Sequence, residues 1–362
     1  MDKQLSKKSL KKPLKLLVSA HEPSSNLHLK EILKHTNDIQ LLGIFSKELS
    51  TKERGEPLYD ISEMAIMGVV DAIKKIRWLF KVADEMVELA KDADKILLMD
   101  ASGFNLPLAK KLKIAYPNKE IIYYILPQIW LTRPKRAKKL EQYCDHLLGI
   151  LPFEVDFYSS KAKYIGHPLL DEISLQHDKN SQSIAFMPGS RKSEILKLLP
   201  IFKEVRKKLS DKKAILIIPQ SFSSTKIKEL YGDISMFEVS TDTQTALAES
   251  EFAFICSGTA TLESALIGTP FTLSFIAKKI DFFIGTKLFG ITQVGLANII
   301  LTNYNNTTLH NELLQERVTV ENLLHEYHNT DREIFTQKAK ELKEYLAHGS
   351  SKNVADIITS KK

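Results

Sequence analysis

The sequence predicts an α/β protein made of two parallel-sheet domains. Three observations carry that expectation. Short apolar runs alternate with amphipathic segments, the alternation stops at a polar stretch from Gln176 to Gln182 and then restarts, and 362 residues suit two domains of ordinary size. The runs are apolar throughout rather than at every second residue, which belongs to strands covered on both faces.

Leu16 to Ala20 is the first strand, and His21-Glu22-Pro23-Ser24-Ser25-Asn26 is a turn entering a helix that runs through Leu33. Strands follow at Ile39 to Phe45, Ile96 to Met99, Ile121 to Leu126 and His146 to Ile150, with helices at Pro107 to Lys113 and Pro134 to Tyr143. Ligands of such sheets bind beyond the carboxyl ends of the strands, where Glu22 and Asp100 fall. Asp100 has two readings. It is a helix N-cap, a place Asp favours, or a general base whose pKa partial burial raises.

Met64 to Lys81 reads as one amphipathic helix with Ile66, Val69, Val70, Ile73, Ile76 and Phe80 on a single face. Lys74, Lys75, Arg77 and Lys81 flank that face, and Trp78 stands beside Arg77. Such a helix either packs on the sheet or lies on an anionic membrane surface.

Beyond the linker, strands are expected at Ile184 to Met187, Ala214 to Ile218, Ser235 to Val239, Phe252 to Cys256 and Pro270 to Phe275. Two turns stand out. After the first of these strands, Pro188-Gly189-Ser190-Arg191 leads into an amphipathic helix carrying Glu194, Ile195, Leu196 and Leu199. Free N–H groups, a helix dipole and a forked guanidinium suit phosphate there, although it is no Walker loop. Glycine and serine at such a turn also serve as plain helix caps. After Phe252 to Ile255, Ser257-Gly258-Thr259 begins a helix with Glu263 one turn in. Glu263 either accepts hydrogen bonds from a ribose diol or belongs to a capping box with Thr259, which their spacing of four fits poorly. Two such domains facing a central cleft are the usual home of a sugar-nucleotide or dinucleotide.

Composition narrows the rest. With 43% hydrophobic and 26% charged residues, and no apolar run long enough to span a bilayer, the chain reads as soluble and cytosolic. Residues 1–14 are a basic tail; 15–175 form the first domain and 183–343 the second. Residues 344–362 either pack back on the first domain or exchange with a partner chain. Cys144 and Cys256 have no paired or metal-like spacing. A net charge of +7 favours an acidic partner. Nucleic acid fits poorly, because the cations do not alternate with aromatics.

Taken together, HEPSSN, MGVVD at 67–71, DASGFN at 100–105, LPFE at 151–154, IGHP at 165–168, MPGSRKSE at 187–194, SGTATLE at 257–263 and ELLQE at 312–316 resemble the lipid-A-disaccharide synthase family. The matches run in order along nearly the whole chain. The resemblance implies a GT-B fold with two Rossmann-like domains and an inverting glycosyltransferase that needs neither cofactor nor metal. Its substrates are UDP-2,3-diacylglucosamine and 2,3-diacylglucosamine 1-phosphate (lipid X), and its products a β-1,6 disaccharide and UDP. It further implies Asp100 as base, Gly189, Ser190, Arg191, Ser257, Gly258, Thr259, Glu263, Asn298 and Gln315 on the donor side, and Glu22 and Ser24 on the acceptor side. It gives the Met64–Lys81 helix a purpose at the cytoplasmic face of the inner membrane, and it allows an oligomer. Departures from the family pattern are His21, Ser25, Asn26, Gly103 and Ala297. Other readings are an epimerase of UDP-N-acetylglucosamine, a lipid II-forming transferase, or a non-catalytic module for a nucleotide or lipid.

Overall fold

The computed structural model describes residues 12–66, 72–129, 135–159, 161–277 and 293–360. The chain divides into two compact units, Met1–Pro168 with Gly349–Lys362, and Leu169–His348.

The first unit is a parallel sheet of six strands: β1 (Leu14–Ser19), β2 (Ile39–Ile44), β3 (Lys95–Met99), β4 (Glu120–Tyr124), β5 (His146–Gly149) and β6 (Ala162–Tyr164), in the order β2-β1-β3-β4-β5-β6. Successive residues of a strand face opposite sides, so continuous apolar runs fill two cores at once. Leu17, Ile96, Leu98, Ile121 and Tyr123 meet Val82, Met86, Leu108 and Leu112 on one face. Leu16, Val18, Leu97, Met99, Ile122 and Tyr124 meet Leu29, Ile32, Val354 and Ile358 on the other. The last helix, Ser351–Thr359, therefore belongs to this unit and packs on the helix Pro23–Lys34. Lys95 fixes its end by donating to Ile357 O and Ser360 O at 2.9 Å each, and it meets its cross-strand partner Glu120 at 3.2 Å. Glu344 does not start the return. It lies in the preceding helix Arg332–Leu346, whose end comes at Ala347.

In the second unit β7 (Ser183–Met187), β8 (Lys213–Ile217), β9 (Glu238–Ser240), β10 (Ser250–Cys256), β11 (Phe271–Phe275) and β12 (Glu312–Leu314) pair in parallel in the order β12-β11-β10-β7-β8-β9. Counted from β7, that is the 3-2-1-4-5-6 order of nucleotide-binding sheets. Its core stacks Phe186 on Phe254, with ring centroids 5.2 Å apart, and adds Phe202, Phe237 and Phe252.

In each unit the chain first winds outward on one side of its first strand and then returns to the other. Connections diverge at that strand, so β1/β3 and β7/β10 each leave a crevice at their carboxyl ends. The crevices are edged by Ala20 to Glu22 with Asp100-Ala101, and by Pro188 to Arg191 with Ser257-Gly258.

Several expected elements differ. β6 and β12 were not expected: each has three residues and lies at a sheet edge. The strand expected at Ser235 to Val239 begins at Glu238, because Ser235 and Phe237 are held in a turn by Asp233 and Ile234. Leu196 is 50% exposed, and Leu198 takes the expected core place beside Ile195 and Leu199. Of the Met64–Lys81 segment, the described residues lie in the helices Ile61–Ile66 and Ala72–Leu89, and Val69 and Val70 lie outside the described residues. No helix among the described residues is long and apolar enough to cross a membrane.

Candidate functional site

Asp100 ends β3 in the left-handed region, with φ 49°, and Ala101 follows at φ 41°. Two such residues in succession are strained, and their surroundings hold them. The Asp100 N–H donates to Tyr124 O at 2.9 Å, and its carbonyl accepts from the Tyr123 hydroxyl at 2.6 Å and from Asn105 Nδ2 at 3.0 Å. Asn105, wholly buried, also donates to Met99 O and accepts from Ser19 Oγ at 2.6 Å. β1 and β3 are thereby stitched together at the crevice.

The bend frees the carboxylate. Ala101, not Asp100, is the N-cap of the helix Ser102–Ala115 and makes no side-chain cap, which removes the cap reading of Asp100. Burial raises the Asp100 pKa, while the Ala101 N–H and the charge of His28 work against the rise. Glu22 belongs to the same cluster. Its pKa is raised by burial on one side and then by the Asp100 charge. It sits at the N-cap of the helix Pro23–Lys34 but spends no side-chain bond there. Ser24, two residues further on, is exposed.

The departures in this loop acquire a role. Asn26 donates to Ala20 O and Glu22 O and accepts from the Ser46 N–H at 2.7 Å, so its amide holds the Glu22 turn against β2. An aspartate could not donate those two bonds. His21 meets Phe104 edge-on at 5.4 Å. Gly103 has nothing within 4 Å of a built Cβ, so sterics do not demand its glycine.

The second crevice is a polar cavity of about 520 Å³ that gathers Gly189, Ser190, Arg191, Ser257, Gly258, Thr259 and Glu263. Gln220, Thr241 and Thr243 also line it, and the sequence offered no signal for them. Gly189 stands at φ +103°, and a Cβ there would meet Glu194 Oε2 at 2.5 Å and Cys256 Sγ at 3.1 Å. Glu194 is buried beneath the turn. It accepts from the Arg191 N–H and takes the Arg191 guanidinium at 2.7 Å, so the exposed arginine stands ready above the helix Lys192–Lys208. The second helix, Thr259–Ile267, begins after Gly258 with no side-chain cap, and Thr261 rather than Thr259 bonds back to Gly258 O. Burial, and then the charge of Glu172, push Glu263 up to about 7.

Asn298 and Gln315 do not line this cavity. Asn298 is buried, donating to His310 O and Glu312 Oε1 and accepting from the Leu309 and His310 N–H groups. Its amide is fully spent in holding the loop before β12, so it is a positioning residue. Gln315 follows β12 at φ 55°, with Nε2 buried and no partner for it among the described residues. Ala297 is buried beside Asn298.

On the Ala72–Leu89 helix, Ile76 and Phe80 are more than half exposed, and with Leu79, Ala83, Gly103, Phe104, Pro107 and Lys111 they line an apolar groove of about 200 Å³. Trp78 does not share that face. Two residues from each of them is about 200° around a helix, and Trp78 packs inward against Tyr59 with centroids 5.5 Å apart. The side chains of Ile66 and Ile73 lie outside what the structure describes.

The family model described as Lipid-A-disaccharide synthetase matches residues 16–361. The chain is 49% identical over 356 residues to the lipid-A-disaccharide synthase of Helicobacter pylori strain J99, covering 94% of this chain and 97% of that one. It is 44% identical over 361 residues to that of Campylobacter jejuni strain RM1221, covering 94% and 98%. Among solved structures, the calicheamicin glycosyltransferase superposes with a TM-score of 0.59 at 12% identity over 96% of this chain and 98% of that one. The UDP-GlcNAc 2-epimerase of Neisseria meningitidis gives 0.56 at 12% identity over 96% and 98%. These distant likenesses show the GT-B fold.

Gly189→Ala is expected to strain the turn by more than about 1 kcal/mol and to displace Glu194, and with it Arg191. Calorimetric titration should then show UDP affinity reduced at least tenfold. Unchanged affinity would remove the turn from the nucleotide site.

Proposed function

The chain belongs to the lipid-A-disaccharide synthetase family, and from that premise we propose how its residues share the work. The protein is an inverting hexosyltransferase of lipid A biosynthesis. It joins UDP-2,3-diacylglucosamine to 2,3-diacylglucosamine 1-phosphate, forming the β-1,6 disaccharide 1-phosphate and UDP.

Asp100 is the general base. The acceptor 6-hydroxyl oxygen attacks the anomeric carbon from the side opposite UDP, its proton passes to the Asp100 carboxylate, and the breaking sugar–phosphate bond leaves its electron pair on UDP. The observation that carries this reading is the fixed, uncapped and partly desolvated Asp100 carboxylate at the β1/β3 crevice. Burial makes it a stronger base, and the Ala101 N–H keeps it ionised. Glu22 and Ser24 face the acceptor. Charge gathering on UDP is met by the N-termini of Lys192–Lys208 and Thr259–Ile267, by Ser190, by the Ser257-Gly258-Thr259 turn and by Arg191. Gly189 lets the backbone approach, and Glu263 accepts from the ribose diol. Asn298 and Gln315 act from β12 and its neighbouring helix.

A micelle assay of disaccharide formation tests the base. Asp100→Asn should lower kcat by about 10²–10⁴-fold with KM little changed. The wild-type acid limb should lie above the ordinary carboxylate range, because the rate falls as Asp100 protonates. Retention of the rate within a few-fold would transfer the role to Glu22.

Glu263, at about 7 when free, is ionised by a ligand that donates to it. UDP should therefore bind more tightly above pH 7 than at pH 6, and should outbind 2′-deoxy-UDP. Glu263→Gln should flatten both differences. Equal preference for UDP in the variant would reassign the residue to packing.

The enzyme works as a peripheral protein on the cytoplasmic face of the inner membrane. Ile76 and Phe80 enter the surface, Arg77 and Lys81 meet anionic headgroups, and the adjoining groove accepts acyl chain. Ile66, Val69, Val70 and Ile73 extend the same face in sequence. Ile76→Ser/Phe80→Ser should reduce co-sedimentation with anionic vesicles at least tenfold, and undiminished binding would rule this surface out.

A further inference from the structure

A second cavity of the unit Leu169–His348 has no part in the transfer reaction. It holds about 710 Å³ at the amino ends of β10 and β11, the pole opposite the nucleotide crevice, and is lined by His177, Lys179, Glu251, Arg332, Glu333 and Lys340 among others. Glu251 is already engaged by Lys212 at 3.1 Å and by the Tyr327 hydroxyl at 2.6 Å. Its charge still reaches Arg332, Lys340 pairs with Glu344 at 3.7 Å, and Glu333 is the other carboxylate of the lining.

Arg332 is held in place rather than satisfied. Its guanidinium lies over the Phe252 ring at 4.5 Å and donates from Nη2 to Tyr327 O at 2.9 Å. Nη1 is buried and meets no acceptor among the described residues. The N-terminus of its helix is not the attraction, because Asp331 Oδ1 takes the Glu333 and Ile334 N–H groups. His177 Nε2 is likewise buried with no partner among the described residues. Burial chiefly holds its imidazolium down; a hydrogen bond with the Ser250 backbone and the charge of Asp178 work against that, and the charges of Arg332 and Lys179 add to it.

We propose that this cavity is an anion site for a phosphomonoester. A preformed guanidinium fork with a free arm, two exposed ammonium groups and an imidazole able to gain a proton suit a compact dianion with several acceptor oxygens. A single carboxylate would leave most of those donors unused. The helix Arg332–Leu346 packs on Thr259–Ile267, whose first turn edges the nucleotide crevice, so occupancy at one pole bears on an element of the other.

The test uses the full chain with UDP at saturation, so that the crevice is filled. Inorganic phosphate is titrated calorimetrically, and phosphatidylcholine vesicles with and without phosphatidate are co-sedimented. Lys179 and Lys340 are exposed, so Lys179→Ala/Lys340→Ala should fold, and Arg332→Met is run beside it. Saturable phosphate binding that falls at least tenfold in the lysine variant supports the site with a free phosphate ligand. Binding seen only with phosphatidate vesicles, and lost in the same variant, supports it with a lipid headgroup. No binding of either probe, or binding that both variants leave unchanged, overturns it.

Discussion

Parallel pairing forces every connection between strands to cross a face of the sheet. Where successive crossings take opposite faces, nothing covers the strand ends between them. β1/β3 and β7/β10 are those places, and the chemistry-bearing residues of the chain concentrate there. Ser19, Glu22, Asp100 and Asn105 belong to the first; Gly189, Arg191, Ser257 and Glu263 belong to the second. Residues far from either crevice serve the same constraint by keeping the sheets covered. Lys95, for example, fastens the last helix over the face that carries Leu16 and Leu97.

The two crevices solve different problems with similar backbones. Beyond β3 the chain presents one carboxylate from a costly conformation, which Tyr123, Tyr124 and Asn105 secure. Beyond β7 it presents a turn and a cation, with a glycine at the positive φ and Glu194 holding the arginine. At Asp100 the strained backbone carries a side chain into the crevice rim. At Gly189 the absent Cβ leaves the space to Glu194 and the turn's backbone instead.

Sequence made the strands legible where apolar runs were long, since only a doubly covered strand is apolar at every position. It failed at β6 and β12 because three-residue edge strands bury little and carry no pattern. It misplaced Leu196 and Trp78 for one reason: a helix face spans a wide arc, and composition does not say which part meets the core. The glycine turns were legible as strand-to-helix turns, and Asp100 as the residue just beyond a strand. The supports of Asp100 were not. Asn105 and Tyr123 matter through contacts across the sheet, and no local spacing encodes those. Asn298 was legible as a polar position but not as one spent wholly on its own loop.

Burial raises the carboxyls of Asp100, Glu22 and Glu263, and it carries the structural Glu154, beneath the Leu151 turn, to about 7. A group whose folded pKa is raised contributes stability that is fully present below its unfolded value. That contribution is lost as pH rises through the folded value. Near neutrality these four residues therefore cost the fold stability that it would regain in acid. For Glu154 the carboxylate still accepts the Ile150 and Leu151 N–H groups, so part of the cost is recovered in the turn that ends β5. Asp100 recovers part of its cost through the Ala101 N–H and the charge of His28, whereas burial and the charge of Glu172 both act against Glu263. A base that is to accept a proton near neutral pH must be poorly solvated before the substrate arrives. A carboxylate that is to recognise a diol must have partners left to gain. In the proposed roles of Asp100 and Glu263, the stability withheld at those two positions is what binding and proton transfer would release.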